Sequence, residues 1–258
     1  MTSKEQDVSS VWTRPQRKRR DNESLNRDQI VAEAVRLLDA EGMDALSMRR
    51  LGARLNAGAT SLYWHVANKD ELIELVVDEI FGELDIPEID DPARWREAMT
   101  RCAISVRDAL LRHPWFSSTF GEVGLSYLGP NMMRLSDRML AILERGGFDL
   151  PTANRAVTVI IAYVTGVTSS EASWHTTIKR SGRTEQEWLA NVRPAVAARL
   201  QAYPRLAEAY ELFQIGDPAA AREDDFRWGL DRVLDGLSTS KGGRRDVRMD
   251  PLRASDAK

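Results

Sequence analysis

The sequence predicts an all-α protein: an N-terminal three-helix domain followed by a larger helical domain. Three observations predict it. Apolar residues recur at three- and four-residue steps between residues 26 and 237, the period of one helix face. These stretches follow helix-starting signals, a Ser, Thr, Asp or Asn with Pro next or with Glu or Gln three residues later. No stretch alternates apolar and polar residues between turn signals as a strand would.

The elements follow in order. Asn26 with Gln29 forms a capping-box pattern; Ile30, Ala34, Val35 and Leu38 then make an apolar stripe through residue 41, and Gly42 ends it. Ser47 caps a second, short helix through Leu55, with Leu51 and Leu55 facing inward. Asn56 stands where the chain must turn, and asparagine is one of the few non-glycine residues that accept a left-handed backbone. A third short helix spans residues 59–65. Asn68 with Glu71 is a further capping box, opening a helix of about 15 residues that Pro87 closes.

Asp91-Pro92 opens the next helix, which runs to Arg112 before Pro114. Pro130 starts another that Gly146-Gly147 ends, and residues 151–177 form a long, weakly charged segment. Thr184 with Glu187 caps a helix through Gln201, with Pro194 as its kink. Residues 204–213 add a short helix, and Pro218 opens the last one, through Leu237.

The chain has 258 residues, room for one small domain and a second with its own core. With 43% hydrophobic and 29% charged residues, the composition is that of an ordinary soluble globular protein. A single cysteine, Cys102, excludes a disulfide framework within one chain and a multi-cysteine zinc site. His65, His113 and His175 lie too far apart for local metal-ligand spacing, so no metal or cofactor is expected. The polar start lacks a signal peptide's apolar run, and no uninterrupted apolar stretch approaches roughly 20 residues, so the expectation is a cytoplasmic protein without a membrane segment.

The formal net charge of -3 is unevenly spread. Residues 14–69 carry 11 Lys/Arg against 7 Asp/Glu, while the rest is acidic. That asymmetry suits one module for phosphates and another for something else. An enzyme would need a nucleophile with its base, paired carboxylates in a cleft or a glycine-rich phosphate loop. Gly146-Gly147 reads as a helix end and no such loop is present, so an enzyme is not expected.

Three helices of about 16, 8 and 7 residues with a short second connection fit a helix-turn-helix unit. At about 100° per residue, Leu62 and Val66 share one face of the third helix and point inward. Thr60 and Trp64 point the opposite way, flanked by Ser61 and His65 on one side and Tyr63 on the other. Two large outward aromatics are costly unless something covers them, and a DNA major groove would. Thr60 and Ser61 can then bond base edges or phosphates, Trp64 can pack on a thymine methyl, and Tyr63 and His65 face phosphate oxygens. The competing reading makes Tyr63, Trp64 and His65 core residues. Arg50 and Arg54 are equally compatible with a solvated face and with DNA contact.

Residues 46–55 (LSMRRLGARL), 59–66 (ATSLYWHV) and 68–72 (NKDEL) resemble the DNA-binding domain of the TetR family. The match runs closely over residues 25–84, departing at Asn56, where the family usually has glycine. The resemblance implies that Arg49 lies near the DNA backbone and that Lys69 meets a phosphate at a helix N-terminus. With composition marking the ends, the chain divides into a basic arm over residues 1–23, a helix-turn-helix domain over 24–70, a regulatory and dimerisation domain over 71–240 and a tail over 241–258. Arm and tail are expected to be disordered, and Arg14, Arg17, Lys18, Arg19 and Arg20 make the arm either a solubilising tail or a DNA contact.

One short recognition helix reads only a few base pairs, so specificity calls for two copies. Residues 153–174 and 225–237 suit a dimer surface, with Phe226, Leu230, Val233 or Leu234, and Leu237 at helical steps; ordinary packing within one chain is the alternative. The ending resembles the tetracycline-repressor-type C-terminal domain, which implies a four-helix bundle with a partner copy. His113, Phe116, Met133, Tyr163, Glu171, Trp174 and His175 are the candidate effector contacts, against a core role for the same side chains. Tetracycline-binding members of the family grip a drug–magnesium chelate with a histidine. Residues 121–130 contain none, so an apolar or aromatic effector is expected. The reading is a homodimeric repressor of double-stranded DNA, released from a palindromic operator by an unknown small molecule, with the fourth helix linking the domains. An activator of the same fold is the alternative; a helical enzyme or a protein-binding adaptor is less favoured.

Overall fold

The structure is a computed structural model that describes residues 10–12, 25–119, 128–213 and 217–241. Those residues contain helices and turns and no strand. The basic cluster at residues 14–20, and all but residue 241 of the expected tail, lie outside the described residues.

Helix α1 (Arg27–Glu41) begins with the full reciprocal capping box of Asn26 and Gln29 and ends at Gly42, whose φ of 80° a glycine adopts without a Cβ clash. After a 3₁₀ turn, Ser47 accepts from the Arg50 N–H to start α2 (Met48–Arg54). Asn56 has φ 50°, and it is the one non-glycine residue with positive φ among the described residues. Helix α3 (Ala59–Leu62) is shorter than its sequence suggests. Beyond it the Trp64 and His65 N–H groups bond three residues back, to Ser61 and Leu62, so the last turn tightens. In α4 (Lys69–Gly82), Asn68 accepts from the Glu71 N–H as expected. The return half of that box is diverted: the Glu71 carboxylate accepts from the Ala67 N–H instead.

Downstream are α5 (Trp95–Arg112), α6 (Phe116–Thr119), α7 (Pro130–Arg145), α8 (Leu150–Ser181), α9 (Glu185–Leu200), α10 (Pro204–Phe213) and α11 (Pro218–Ser238). Asp91 caps the 3₁₀ turn leading into α5, and Thr184 and Glu187 form the expected capping box; Asp149 caps α8 and Asp217 caps α11, two caps that the sequence reading did not name.

α8 is the backbone of the second domain. Ala153, Ala156, Ile160, Val164 and Thr168 line one face at helical steps and are buried against α5 and α11, with α7 alongside. Small residues at the start of that stripe let the helices approach closely. At its centre the Tyr163 hydroxyl donates to the Phe226 carbonyl (2.9 Å), beside Gly229, where a Cβ would overlap the ring.

α4 joins the two domains and carries a buried row of carboxylates. Glu71 holds the turn before α4, while Asp78 accepts from the N–H groups of Asn131 and Met132 at the start of α7. Between them, Glu74 accepts from the Ser10 hydroxyl (2.6 Å) and the Val11 N–H (3.1 Å). Val11 is buried, so residues 10–12 of the region expected to be a loose arm are docked on the linking helix. Five backbone and side-chain donors from three segments thus meet carboxylates of one helix, which is why acids tolerate burial there.

Candidate nucleic-acid interface

The reading head is built from α1 upward. Ile30, Ala34, Leu37 and Leu38 of α1 meet Leu51 of α2, and Leu62 and Val66 from the third helix and its turn close the same core, all essentially without solvent contact. Gly52 is the residue whose role the sequence reading missed. A Cβ there would lie 2.7 Å from the Ala57 carbonyl oxygen, so glycine lets the turn cross α2. A glycine four residues before an αL asparagine, with both flanking a helix end, was the available signal.

Burying Leu62 and Val66 turns the other side of the segment to solvent. Trp64 is 69% exposed and Tyr63 49%; Thr60 and Ser61 are also exposed, and His65 is half-buried. None of the three aromatic residues is buried, which removes the core reading for them. An exposed indole and phenol side by side, with two hydroxyls one turn earlier, form an amphipathic ridge that a groove can cover.

The charges around this ridge divide into two sets. Arg50 donates to Glu41, and Arg54 donates to Glu33 and lies 3.6 Å from Glu41. Burial alone would raise the Glu33 carboxyl, but hydrogen bonds and attraction from Arg36 and Arg54 outweigh it and hold it below its ordinary range. These two α2 arginines are therefore committed to α1. Arg49 and Lys69, by contrast, are exposed and make no ion pair among the described residues. They flank the ridge, Arg49 in the first turn of α2 and Lys69 at the first position of α4.

Two family descriptions match the chain: "Bacterial regulatory proteins, tetR family" over residues 30–76 and "Tetracyclin repressor-like, C-terminal domain" over residues 87–240. The chain belongs to the TetR family. It is a DNA-binding transcriptional regulator. A HTH-type transcriptional regulator of Saccharopolyspora erythraea is 38% identical over 202 residues, covering 77% of this chain and 80% of the relative. The HTH-type transcriptional repressor DrrR1 of Streptomyces coeruleorubidus is 32% identical over 225 residues, 86% of this chain and 80% of the relative. Among solved structures, ActR of Streptomyces coelicolor in complex with actinorhodin aligns with a TM-score of 0.67 at 30% identity, over 85% of this chain and 99% of that one.

The candidate effector contacts of this TetR family member do not converge on one place. His113 and Phe116 are buried beneath the end of α4, where Phe116 packs edge-on to Phe81 at 5.2 Å. Met133 is 56% exposed on α7. The other four lie along α8. Tyr163 meets α11, as described above. Glu171 receives both Arg107 bonds (3.0 and 2.9 Å), and Arg107 also reaches Glu223 of α11 (2.6 Å). Trp174 donates to Glu185 (2.7 Å) and meets Trp188 edge-on at 4.8 Å; Arg222 grips the same Glu185. His175 is exposed, 3.7 Å from Glu171. Arg107 and Arg222, which organise this α5–α8–α9–α11 network, carried no local sequence signal, because their partners lie 64, 116 and 37 residues away.

Proposed function

We propose that the chain acts as a homodimeric repressor whose two reading heads hold a palindromic operator until a small-molecule effector changes their spacing. The observation that carries the DNA-reading half is the exposed Tyr63–Trp64 ridge between Arg49 and Lys69, with its neighbouring arginines neutralised. Thr60, Ser61 and Trp64 take the base edges in this reading; Tyr63, His65, Arg49 and Lys69 take phosphates.

The dimer half rests on what α8 and α11 leave uncovered. Val159 and Val167 on α8 and Trp228 on α11, 66% exposed, lie outside the intrachain packing of the same two helices. By length and composition α8 is also the one helix among the described residues that could cross a membrane. A second copy packing its own α8 and α11 there would cover this apolar excess and place two heads on one DNA. DrrR1 is named a repressor, and ActR has been solved with actinorhodin and with (S)-DNPA. Those relatives support repression and relief by a small molecule. Such a molecule lowers DNA affinity only by the difference in its binding to the two head spacings. The α4 helix, which joins the two domains, is one element that transmits the change.

The test is a duplex-DNA titration across salt concentrations with Tyr63→Ala and Lys69→Ala. Both should keep the fold and the dimer while losing affinity, and Lys69→Ala should also reduce the salt slope by about one. Unchanged affinity in both variants would refute the reading head.

A further inference from the structure

Asp39 lies in the last turn of α1, a position where the helix dipole disfavours a carboxylate. Its compensation comes from the other domain. Oδ1 of Asp39 accepts from the Trp115 indole N–H at 2.7 Å and lies 2.7 Å from Nδ1 of His113. Both partners are buried in the turn between α5 and α6. The other nitrogen of His113 faces Glu83, the C-cap of α4, at 3.3 Å, and Glu83 in turn accepts from Arg112 (2.6 Å). Trp115 packs against Phe116, which packs against Phe81 of α4. One turn of the second domain thus grips both the end of α1 and the end of α4.

We propose that Asp39 is a positioning residue for regulation, a strut through which the α5–α6 turn sets the orientation of the reading head independently of α4. α4 packs on α1 within the head. The His113–Trp115–Asp39 contact adds a second attachment, which ties the end of α1 to the α5–α6 turn directly rather than through α4. Any shift of the α5–α6 turn relative to α1 must either carry α1 along or break both contacts. α1 packs directly on α2, so a shift that carries α1 also turns the recognition segment. The role assigned to His113 is accordingly coupling to the head rather than contact with an effector.

The inference rests on the chain being a DNA-binding regulator, and it can be tested without knowing the effector. Coupling between two sites is reciprocal, so DNA on the head must alter the second domain to the extent that the second domain alters the head. The experiment measures backbone hydrogen exchange of the full-length protein, free and bound to a duplex selected from a random pool, in the wild type, Asp39→Asn and Trp115→Phe. DNA should change the protection of the α5–α6 turn and of α7 in the wild type. Both variants should bind DNA within about threefold of the wild type, below the roughly 5–150-fold span of allosteric coupling, yet lose at least half of that change. If both variants melt earlier but transmit the full change, the contact is only structural and the strut is refuted. If the wild type binds no duplex, the regulator reading falls, and the strut with it.

Discussion

Gly129 abuts Asp78 so closely that a Cβ on the glycine would overlap the aspartate carboxylate. Asp78 belongs to α4, and its Oδ1 accepts from the N–H groups of Asn131 and Met132, both at 3.0 Å, in the first turn of α7. Burial raises the Asp78 carboxyl above its ordinary range, while these same bonds pull it back down. A side chain from the linking helix thus satisfies two of the donors that every helix start leaves open.

Asp78→Ala should therefore cost about 1–3 kcal/mol, the penalty of leaving buried donors unpaired. Gly129→Ala should destabilise as well, by forcing α7 away from α4. Urea unfolding checks both: the midpoint should fall while the slope is kept. Unchanged midpoints would contradict the contact.

The two sets of arginines should separate experimentally. Arg54→Ala removes a partner from the buried Glu33 and should lower stability by about 1 kcal/mol, an allowance for a partly exposed pair, with little effect on DNA binding. Arg49→Ala should leave stability within about 0.5 kcal/mol and weaken DNA binding, with a salt slope lower by about 0.9. Parallel thermal melts and DNA titrations distinguish them.

The contact between α9 and α11 should be acid-sensitive. The Arg222 guanidinium holds the Glu185 carboxyl below its ordinary value of 4.5 against the opposing effect of burial, with the Trp174 indole N–H assisting. A depressed folded value means that the contribution is complete above 4.5 and is lost as pH falls through the folded value. Wild type should melt above Glu185→Gln at neutral pH, and the difference should shrink as pH falls below 4.5. A difference that persists or grows in acid would contradict the pairing.

Cys102 should be inert. Burial, with Asp85 nearby, pushes its thiol up to about 12, so almost no thiolate exists at neutral pH. A thiol-reactive chromogenic disulfide should label no residue in the native protein and one in denaturant. Rapid native labelling would show that the α5 core opens.

Local features were legible in the sequence and distant ones were not. The Asn26–Gln29 and Thr184–Glu187 boxes are closed within four residues, and both are present as read. The inward pair Leu62 and Val66 follows from helical spacing alone, and from it follows the outward ridge of Thr60, Tyr63 and Trp64. Glu71 shows where local reading fails: its carboxylate has two N–H groups within reach, and spacing does not choose between Asn68 and Ala67. His113 and Asp39 are 74 residues apart, and nothing in either neighbourhood specifies the other. An aromatic or histidine on a helical chain suits a ligand wall and an interdomain joint equally well. For the same reason the effector contacts were the least legible part of the site. Glu171 is a candidate pocket residue by sequence, yet its carboxylate is taken up by Arg107 and Arg222.

Selection of bound duplexes from a random DNA pool asks whether two reading heads act together on one DNA. The enriched sequence should be two-fold symmetric with half-site centres about 34–36 Å apart or a multiple of that, and its enrichment should disappear with Trp64→Ala. No enriched sequence, or a lone asymmetric half-site that Trp64→Ala still selects, would contradict it.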